Sequence, residues 1–385
     1  MKTESILFIS YSGPLPNIDG KRQRTFALLN ALSSKYQVDF LIINNQIDFD
    51  YAILHNQNSK VNFIQVVSVE TYIDKILKKI GVVFRKDQVV QKFIENFCKK
   101  KNYKFIFSRY IQPVNNIPRN VRIICDVDDD FREQYSSRID SSINKFRKFR
   151  LVQIYYLNLI PYTRLLRKID LAIDVKPVIK GNNSIILPNL PFQLLSEKRS
   201  AFQACDNSAL LFVGKLTFAP NLEGLKWFIK EVFPQLQKVI SNVQLTIVSN
   251  LNPHDTELLD LVRSNPDIFL KINVPHIQKE YLLHSVVIAP VFQGAGSNIK
   301  VIEGLMMGRP VVCTTFASKG FENALQAGIL FNSDSKDGFL KVISDLFGDR
   351  LNLVRLQKNT FDWFHSSYSI GQWQENLLRI VNKKD

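Results

Sequence analysis

The chain has 385 residues and a mass of 44.4 kDa, more than one ordinary hydrophobic core accommodates, which predicts two domains. Its hydrophobic fraction of 45% and charged fraction of 22% are typical of globular proteins and exclude a disordered or fibrous chain. The formal net charge is +15, and residues 1–200 carry nearly all of it, with 32 lysines and arginines against 18 acidic residues. A basic half favours nucleic acid, an anionic membrane surface or a phosphorylated substrate as partner.

The cysteines and the N-terminus indicate a cytoplasmic location. The four cysteines lie far apart without a CxxC pair, so neither a disulfide framework nor a cysteine zinc site is expected. The N-terminal segment has one lysine before a short apolar run that ends at Gly13-Pro14, which favours a first strand over a signal peptide. Because no apolar stretch approaches 18 residues, no transmembrane helix is expected.

The first half alternates strand and helix patterns. Its strands are apolar at consecutive positions, which predicts a parallel sheet covered on both faces. The predicted strands are Ile6–Ser10, Val38–Ile43, Val61–Val67, Lys104–Ser108, Val121–Asp126 and Leu171–Asp174. The predicted helices cover 20–34, 71–81, 88–101 and a long pair across 131–168.

The second half repeats this scheme after a hinge predicted near 181–208, where Asn and Pro residues break the pattern. Its predicted strands are Leu210–Val213, Gln244–Val248, Phe269–Val274, Val286–Ala289, Val311–Thr314 and Gly328–Phe331, and its predicted helices cover 221–241, 255–264, 277–284, 298–308 and 336–348. We therefore expect an α/β fold of two Rossmann-like, doubly wound domains, 1–190 and 205–363, facing a cleft. The C-terminal helix, 364–385, is expected to pack back on the first domain.

A loop of small residues after the strand Val286–Ala289 is the strongest local signal for a ligand. Free backbone N–H groups at Gly294, Gly296, Ser297 and Asn298, together with the dipole of the following helix, favour a phosphate. Ser297 is also predicted to be the N-cap of that helix.

Lys300 and Glu303 are three residues apart and therefore share one face of this helix. From Ser297 to Glu303 the helix rises about 9 Å, at about 1.5 Å per residue, roughly the separation of a pyrophosphate from the hydroxyls of its ribose. Lys300 would neutralise phosphate and Glu303 would accept hydrogen bonds from a diol. A capped surface helix with a Lys–Glu pair would give the same pattern.

Two further glycine and cation pairs follow predicted strands. Gly214 and Lys215 stand at the carboxyl end of Leu210–Val213, where a ligand would lie, although a turn glycine beside a solvated lysine has the same sequence. Gly20 and Arg24 begin the helix after the first strand, in a loop that does not match the dinucleotide motif GxGxxG. That loop would present amides to a ligand, or it is a plain connection before a basic helix.

An acidic run, Asp126 to Asp130, follows the strand Val121–Asp126. Its carboxylates would bind a divalent metal, cap the next helix, or contact a substrate hydroxyl, for which Asp128 is a candidate. The five histidines show no metal-binding spacing, and no GxSxG or Ser/His/Asp order supports hydrolase chemistry.

The basic excess is concentrated in residues 70–168, which hold 22 lysines and arginines against 10 acidic residues. Cations mix with apolar residues in 75–86 and 146–156, as in interfacial helices on an anionic bilayer. Core-facing helices with solvated basic faces would give the same composition. Nucleic acid is not expected as a partner, because the chain carries no reading motif.

Three segments resemble the GT-B glycosyltransferases, specifically the large retaining group called family 4. Val213-Gly214-Lys215-Leu216 is similar to the VGRL-type segment of that family, and the helix from Asn221 resembles the one that follows it. Residues 289–312 resemble the donor-site block of the family. In that block an Ala-Pro pair is followed in order by two glycines, a lysine, a glutamate and a Pro-Val-Val run. The resemblance covers nearly the whole chain and is stronger after residue 205.

This resemblance implies a nucleotide-sugar held between two domains. Lys215 and Lys300 would hold the diphosphate and assist catalysis, Glu303 would bind ribose, and Gly20 would lie near the reacting centre. The chain departs from the family pattern at three places: Ala295 replaces the first glutamate of E-x7-E, Pro220-Asn221 occupies the place of a second lysine, and Ser108-Arg109-Tyr110 that of a histidine.

The expected function is transfer of a hexose-like sugar from a nucleoside diphosphate to a glycan or lipid-linked acceptor hydroxyl, with retention, as in polysaccharide biosynthesis. Neither a metal nor another cofactor is expected, because lysines and a helix dipole would stabilise the leaving charge. The acceptor would engage the basic first domain in the cytoplasm, with peripheral contact at the inner face of the membrane. The alternatives are a non-catalytic polyanion or glycan-binding protein on the same scaffold and a nucleotide-sugar epimerase.

Overall fold

A computed structural model describes residues 4–11, 13, 20–44, 60–67, 72–128, 130–140, 145–175, 183–191, 201–294 and 298–383. The strands of the described part are β1 (Ser5–Ser10), β2 (Gln37–Asn44), β3 (Val61–Val67), β4 (Ile106–Arg109), β5 (Ile123–Asp126), β6 (Leu171–Asp174), β7 (Ser184–Ile186), β8 (Ala209–Val213), β9 (Gln244–Ser249), β10 (Ile268–Ile272), β11 (Val286–Ala289), β12 (Val311–Cys313) and β13 (Leu330–Asn332).

Its α-helices are α1 (Gly20–Lys35), α2 (Tyr72–Ile80), α3 (Gln88–Lys100), α4 (Phe131–Asp140), α5 (Lys145–Leu166), α6 (Ala219–Trp227), α7 (Phe233–Val239), α8 (Thr256–Arg263), α9 (Ile277–Leu283), α10 (Ile299–Met306), α11 (Glu322–Gln326), α12 (Lys336–Gly348), α13 (Arg350–Ser367) and α14 (Ile370–Asn382). A 3-10 turn covers Gln112–Asn116, and a π turn, Phe228–Val232, separates α6 from α7.

The chain divides into two compact units, Met1–Phe192 with Ile370–Asp385, and Gln193–Ser369. The first unit contains a seven-stranded sheet in the order β3-β2-β1-β4-β5-β6-β7, and the second a six-stranded sheet in the order β10-β9-β8-β11-β12-β13. Every strand pair in both sheets is parallel. The expected α/β fold with two doubly wound sheets is therefore confirmed.

Apolar strands explain why both sheets form. Phe8 of β1 is fully buried and makes edge-to-face contacts with Phe40 and Phe107 on the two neighbouring strands, with ring centroids 4.9 and 5.0 Å apart. In the second unit Phe212, on the central strand β8, is likewise fully buried in the hydrophobic core. Strands buried on both faces lack the alternating pattern of a half-exposed sheet, which is why consecutive apolar residues predicted them correctly.

Several element boundaries differ from the prediction for local reasons. The helix predicted over 221–241 is interrupted by the π turn, after which α7 restarts with Pro234 in its first turn, a position where the missing proline N–H costs nothing. The strand predicted to reach Val274 ends at Ile272 because Asn273 has a left-handed φ of 51°.

The C-terminal part of the chain contributes to both units. The boundary predicted at residue 363 falls inside α13, which continues to Ser367 and belongs to the second unit. The next helix, α14, belongs to the first unit, where Trp373 is buried and donates from Nε1 to the carbonyl oxygen of Pro188 over 2.8 Å. Within the described ranges no helix has the length and apolar character needed to cross a bilayer.

Candidate functional site

The order of strands in the second sheet reverses between β8 and β11, which are adjacent and parallel. In open α/β sheets, ligands bind at the carboxyl ends of the strands where the order reverses. Gly214 and Lys215 follow β8, and the segment from Pro290 to Gly294 follows β11 and leads towards α10. The topology therefore brings the two predicted cation-bearing segments to one edge of the sheet.

Asn221, in the first turn of α6, joins these two segments through its side-chain amide. Its Oδ1 accepts a hydrogen bond from Lys300 Nζ over 2.9 Å, and its Nδ2 donates to the carbonyl oxygen of Lys215 over 3.0 Å. A Cβ atom on Gly214 would lie 2.9 Å from that Nδ2, so a side chain at this position would crowd the amide. The glycine after β8 therefore gives Asn221 access to both lysine segments.

Gly224 fixes the position of α6 against the end of β11. A Cβ atom on Gly224 would lie 1.6 Å from the carbonyl oxygen of Pro290, a distance that no packing adjustment of a side chain can relieve. This close approach of helix to main chain places the first turn of α6, with Asn221, beside the loop that leads to Lys300.

Gly224→Ala should lower the free energy of unfolding by at least about 1–3 kcal/mol, the usual cost of overpacking, because α6 must move away from Pro290. Gly348→Ala is the matched control, since a Cβ atom there has nothing within 4 Å and alanine favours the helix. Urea unfolding of both variants measures the difference. Equal midpoints would show that the helix tolerates the shift.

The Lys300 amine is buried, with 8% of the residue exposed. Burial lowers the pKa of Lys300 to about 8, and the nearby carboxylate of Glu303 offsets part of that shift. Its Nζ also lies 5.6 Å from the centroid of the Phe212 ring. A positive charge held in such a place, with one fixed neutral partner, is suited to a ligand that supplies negative charge.

Glu303 lies on the same helix and has a different partner. The hydroxyl of Tyr281 donates to Glu303 Oε2 over 2.7 Å, and burial raises the pKa of Glu303 to about 7. Buried Arg309 in turn donates from Nε to the carbonyl oxygen of Tyr281 over 2.8 Å, which fixes the main chain that carries this tyrosine. Lys300 and Glu303 therefore bind separate groups and do not form the surface ion pair of the alternative interpretation.

The loop between β11 and α10, the helix that carries Lys300 and Glu303, is only partly described. Gly294 has a φ of +136°, a conformation that side chains rarely adopt, so glycine is required there. Gly296 and Ser297 fall outside the described residues. Asn298, not Ser297, is the N-cap of α10, with an extended backbone and no side-chain capping bond. The prediction of Ser297 as N-cap was wrong because the helix begins at Ile299, one residue later than the pattern indicated.

A buried charge network occupies the carboxyl edge of the first sheet. Asp126, at the end of β5, accepts from Arg24 Nη2 over 2.6 Å and from Arg109 Nη1 over 2.7 Å, and all three residues are fully buried. Arg24 also donates to Asn189 Oδ1 over 2.8 Å and to the carbonyl oxygen of Leu187 over 3.1 Å. The Arg24 guanidinium, next to the N-terminal loop predicted to present amides to a ligand, therefore binds groups inside the first unit.

Asp128 extends this network towards the surface. Its carboxylate accepts from Arg109 Nη2 over 2.7 Å, and its backbone has a left-handed φ of 61°. Tyr110, which follows β4, has a φ of 71°. A left-handed backbone is uncommon for residues other than glycine, least so for aspartate, and such residues occur often at ligand-binding sites.

The rest of the acidic run serves the following helix. Asp130 Oδ1 accepts from the backbone N–H groups of Arg132 and Glu133, which confirms the capping interpretation for this residue. The described part of the chain holds no group of three His, Cys, Asp or Glu side chains placed to bind a metal. Gly20 is the first residue of α1, as predicted.

Sequence reasoning missed the parts played by Asn221 and Tyr281. The sequence analysis places Asn221 at the start of a helix and in a departure from a lysine pattern, but assigns it no contact, although an asparagine beside a proline in the first helical turn is a recognisable signal for local hydrogen bonding. Tyr281 has no such signal, since an isolated tyrosine in an amphipathic helix is typical of core packing.

Part of the chain is similar in sequence to known proteins. Residues 207–349 match the family model described as glycosyl transferases group 1. A protein of Klebsiella pneumoniae, described as an uncharacterized 44.6 kDa protein in the cps region, is 28% identical over 126 residues. The matched segment covers 30% of this chain and 31% of that protein, so the chain matches about a third of the length of this relative.

Solved structures resemble the chain over nearly its whole length. Sucrose-phosphate synthase from Thermosynechococcus elongatus superimposes with a TM-score of 0.69 at 14% identity, covering 98% of both chains. WaaG, a glycosyltransferase involved in lipopolysaccharide biosynthesis, gives 0.67 at 12% identity and covers 98% of this chain and 100% of its own. A trehalose-6-phosphate synthase, described in terms of glycosyl transfer with retention, gives 0.65 at 10% identity, with 98% and 99% covered. The chain has the fold of the GT-B glycosyltransferases, and its residues 207–349 match the model of the glycosyl transferases group 1 family.

Proposed function

We propose that the protein is a glycosyltransferase that moves a sugar from a nucleoside diphosphate to an acceptor hydroxyl with retention of configuration. The observation that carries the proposal is the buried Lys300 amine, held by Asn221 at the edge where the strand order reverses. A leaving diphosphate is the charge that such an amine would stabilise. The group 1 domain and the GT-B fold support the same reaction class.

In this proposal the second unit binds the donor. Lys300 and Lys215, together with the backbone of the loop from Gly294 to Asn298, would contact the diphosphate, and Gly214 would keep that edge open. Glu303, oriented by the Tyr281 hydroxyl, would accept hydrogen bonds from the ribose diol. The donor hydroxyls would then meet a carboxylate that is already oriented, which is the form of preorganisation that favours binding.

The chemical step exchanges one bond at the anomeric carbon for another. The bond from this carbon to the phosphate oxygen breaks, and the bond to the acceptor oxygen forms on the same face of the sugar. The acceptor proton passes to the departing phosphate oxygen, so no separate base is needed. Lys300 and Lys215 would lower the barrier by stabilising the diphosphate as its charge develops, a role that these lysines could fill without a metal.

The first unit would bind the acceptor, and Asp128 is its proposed contact. Arg109 holds the Asp128 carboxylate in an orientation fixed by the buried ion pair with Asp126. An acceptor hydroxyl would donate to this carboxylate. Gly20, at the start of α1, would lie close to the transferred sugar, as the family resemblance implies. Arg24 would support this region indirectly by holding Asp126 in place.

The affinity for a nucleoside diphosphate should depend on pH in opposite directions below and above neutrality. Affinity should rise as Glu303 ionises near its raised pKa of about 7, and fall as Lys300 loses its proton near its lowered pKa of about 8. Calorimetry from pH 5.5 to 9.5 measures the profile. In Glu303→Gln, any rise of affinity that remains on the acidic side of the profile belongs to ionisation of the ligand phosphate. Lys300→Met should remove the fall of affinity on the alkaline side, which we call the alkaline limb. An alkaline limb unchanged in Lys300→Met would contradict the assignment.

A basic apolar surface on the first unit supports peripheral contact with an anionic membrane at the cytoplasmic face. We define this surface by α2 and the first part of α5, which are joined where Arg150 Nη2 donates to the carbonyl oxygen of Lys79 over 3.3 Å. Phe146 and Phe149 are 86% and 71% exposed on α5, within a run that also carries four cations. Exposed phenylalanines among cations match an interface between headgroups and acyl chains.

Phe146→Ser with Phe149→Ser should weaken binding to vesicles containing anionic lipid by at least about tenfold, since each buried phenylalanine contributes about 1.5–3 kcal/mol. Co-sedimentation at low salt measures the bound fraction. The matched control replaces two exposed apolar residues of the second unit, Val239→Ser with Leu351→Ser. If wild type does not bind such vesicles, or both double variants bind equally, the acceptor is not presented at this surface.

A thermal-shift screen with UDP, GDP, dTDP and their sugars would identify the donor, and product analysis with and without an acceptor tests the transfer itself. Stabilisation by a nucleotide-sugar with product formed only when acceptor is present supports the transferase. An altered sugar nucleotide without acceptor would indicate an epimerase. No stabilisation by any of these compounds would favour a polyanion-binding protein.

A further inference from the structure

The first unit contains a second basic site, separate from the residues proposed to bind the donor. A cavity of about 450 Å³ opens between the connection from α2 to α3, the loop that precedes β5, and the end of α5. Cavities of roughly 300–1,000 Å³ are typical of small-molecule sites. All the segments that line it belong to the first unit.

The cavity gathers positive charge from three separate segments. Its lining includes Lys86, Arg119, Arg164 and Lys168, and none of the described residues that line it is acidic. The ion pairs of the described residues, such as that of Arg85 with Asp74, involve none of these four cations. Four cations without a counter-charge repel one another, so a bound anion would stabilise the folded state.

Lys168 is the fixed member of this group. Its Nζ donates to the carbonyl oxygen of Val114 over 2.8 Å and also to that of Ile117. Burial lowers the pKa of Lys168 to about 8, and the positive charges of Lys86 and Arg119 lower it further. An anion bound among these cations would relieve that repulsion.

The floor of the cavity is apolar. Phe84, Ile117 and Leu165 line it and are each at most 6% exposed, whereas Lys86, Arg119 and Arg164 are exposed around the opening. A cationic rim over an apolar floor suits an anionic group attached to a less polar body. Arginine side chains converging from separate elements are suited to phosphate oxygens in particular.

We propose that this cavity binds the phosphate group of a phosphate ester, carried by a soluble molecule or by a lipid headgroup. The site does not depend on the proposed donor site, because it shares no residue with it. Arg119 and Arg164 would bind the phosphate oxygens, with Lys168 behind them as the fixed charge.

Hydrogen exchange of the full chain, measured by mass spectrometry, tests the proposal with two probes: sodium pyrophosphate, and phosphatidylcholine vesicles containing phosphatidic acid. The Lys300→Met variant is used throughout so that the proposed donor site does not contribute. Either probe should slow exchange in residues 84–91, 113–119 and 161–168. Arg119→Ala with Arg164→Ala should raise the concentration needed by at least tenfold, whereas Lys92→Ala with Lys99→Ala, which removes two exposed cations of α3, should change it less than twofold.

The two probes also identify the source of the phosphate. Protection by pyrophosphate alone indicates a soluble ester, and protection by vesicles alone indicates a lipid headgroup, and each result supports the site. If neither probe protects these three segments, or if the two double variants respond alike, the proposal is wrong. Thermal unfolding of both double variants shows whether they remain folded.

Discussion

Lys300→Met should reduce turnover of the nucleotide-sugar by about 10²–10³-fold, the range seen when one preorganised group that stabilises a developing negative charge is removed. Methionine keeps the apolar stem over Phe212 and removes only the amine that binds Asn221. The loss should appear in kcat as well as in donor affinity, because the diphosphate gains charge as it leaves.

Lys226→Met is the matched control for this variant. Lys226 lies in α6, close in the chain to Asn221, and pairs with Asp255 and Glu257 near the surface. Its replacement removes the same charge without touching the proposed phosphate contacts, so turnover should change less than about twofold. Initial rates with saturating acceptor measure both variants, and equal turnover would exclude Lys300 from the reaction.

The same variant has a signature in stability that does not depend on substrate. The pKa of Lys300 falls from an ordinary 10.5 to about 8 on folding, so between these pH values the unfolded chain binds more protons than the folded one. Between pH 8 and pH 10 the stability of the wild type should therefore rise, relative to Lys300→Met, by roughly 2 kcal/mol. Urea unfolding of both proteins at pH 8 and pH 10 measures this change, and an equal change in the two proteins would show that folding does not lower the pKa of Lys300.

Arg24→Met should destabilise the first unit by about 3–5 kcal/mol, because it leaves the fully buried Asp126 with a single arginine partner. The variant also loses the hydrogen bonds from Arg24 to Asn189 and to the carbonyl oxygen of Leu187, which tie α1 to the segment after β7. Arg24→Lys should recover only a small part of the loss, since an ammonium group cannot replace a guanidinium that binds several acceptors in one plane.

Arg263→Ala is the control for this effect. Its pair with Asp260 is 75% and 74% exposed, and exposed pairs contribute at most about 1 kcal/mol. Chemical unfolding of both variants is followed by circular dichroism and by tryptophan fluorescence, to which Trp373 contributes with its ring centroid 5.9 Å from the Arg24 guanidinium. An Arg24→Met midpoint as high as that of Arg263→Ala would mean that the buried pair contributes little.

The fold could be predicted from the sequence because its signals are local. Strands such as β1 and β11 are continuous apolar runs, and each is bounded by residues that break the pattern, so their positions follow from composition alone. The order of the strands was not predicted from residues. It depends on which strand pairs with β8 across the reversal, a long-range choice that no local pattern encodes.

The candidate site was predicted in part. Lys300 and Glu303 were identified from their spacing on one helix face, and Lys215 from its place after a strand. Their actual partners, Asn221 and Tyr281, lie 79 and 22 residues away in sequence and are brought near by packing.

For Arg24 the sequence suggests a residue near a ligand, whereas the structure gives it a buried partner. A cation after a glycine loop has the sequence of a ligand contact, but the acidic partner that takes it inward, Asp126, is 102 residues away. Local sequence specifies the charge of such a residue, and tertiary packing decides whether that charge meets a ligand or a buried counter-ion.

The most direct test of the proposed donor site is the equilibrium binding of a panel of nucleoside diphosphates, measured by calorimetry. If the second unit holds a nucleotide-sugar through the Lys300 amine, at least one of UDP, GDP, ADP and dTDP should bind with one-to-one stoichiometry to the wild type, and at least about 30-fold more weakly to Lys300→Met. No binding of any of the four, or equal affinity in the two proteins, would contradict the account.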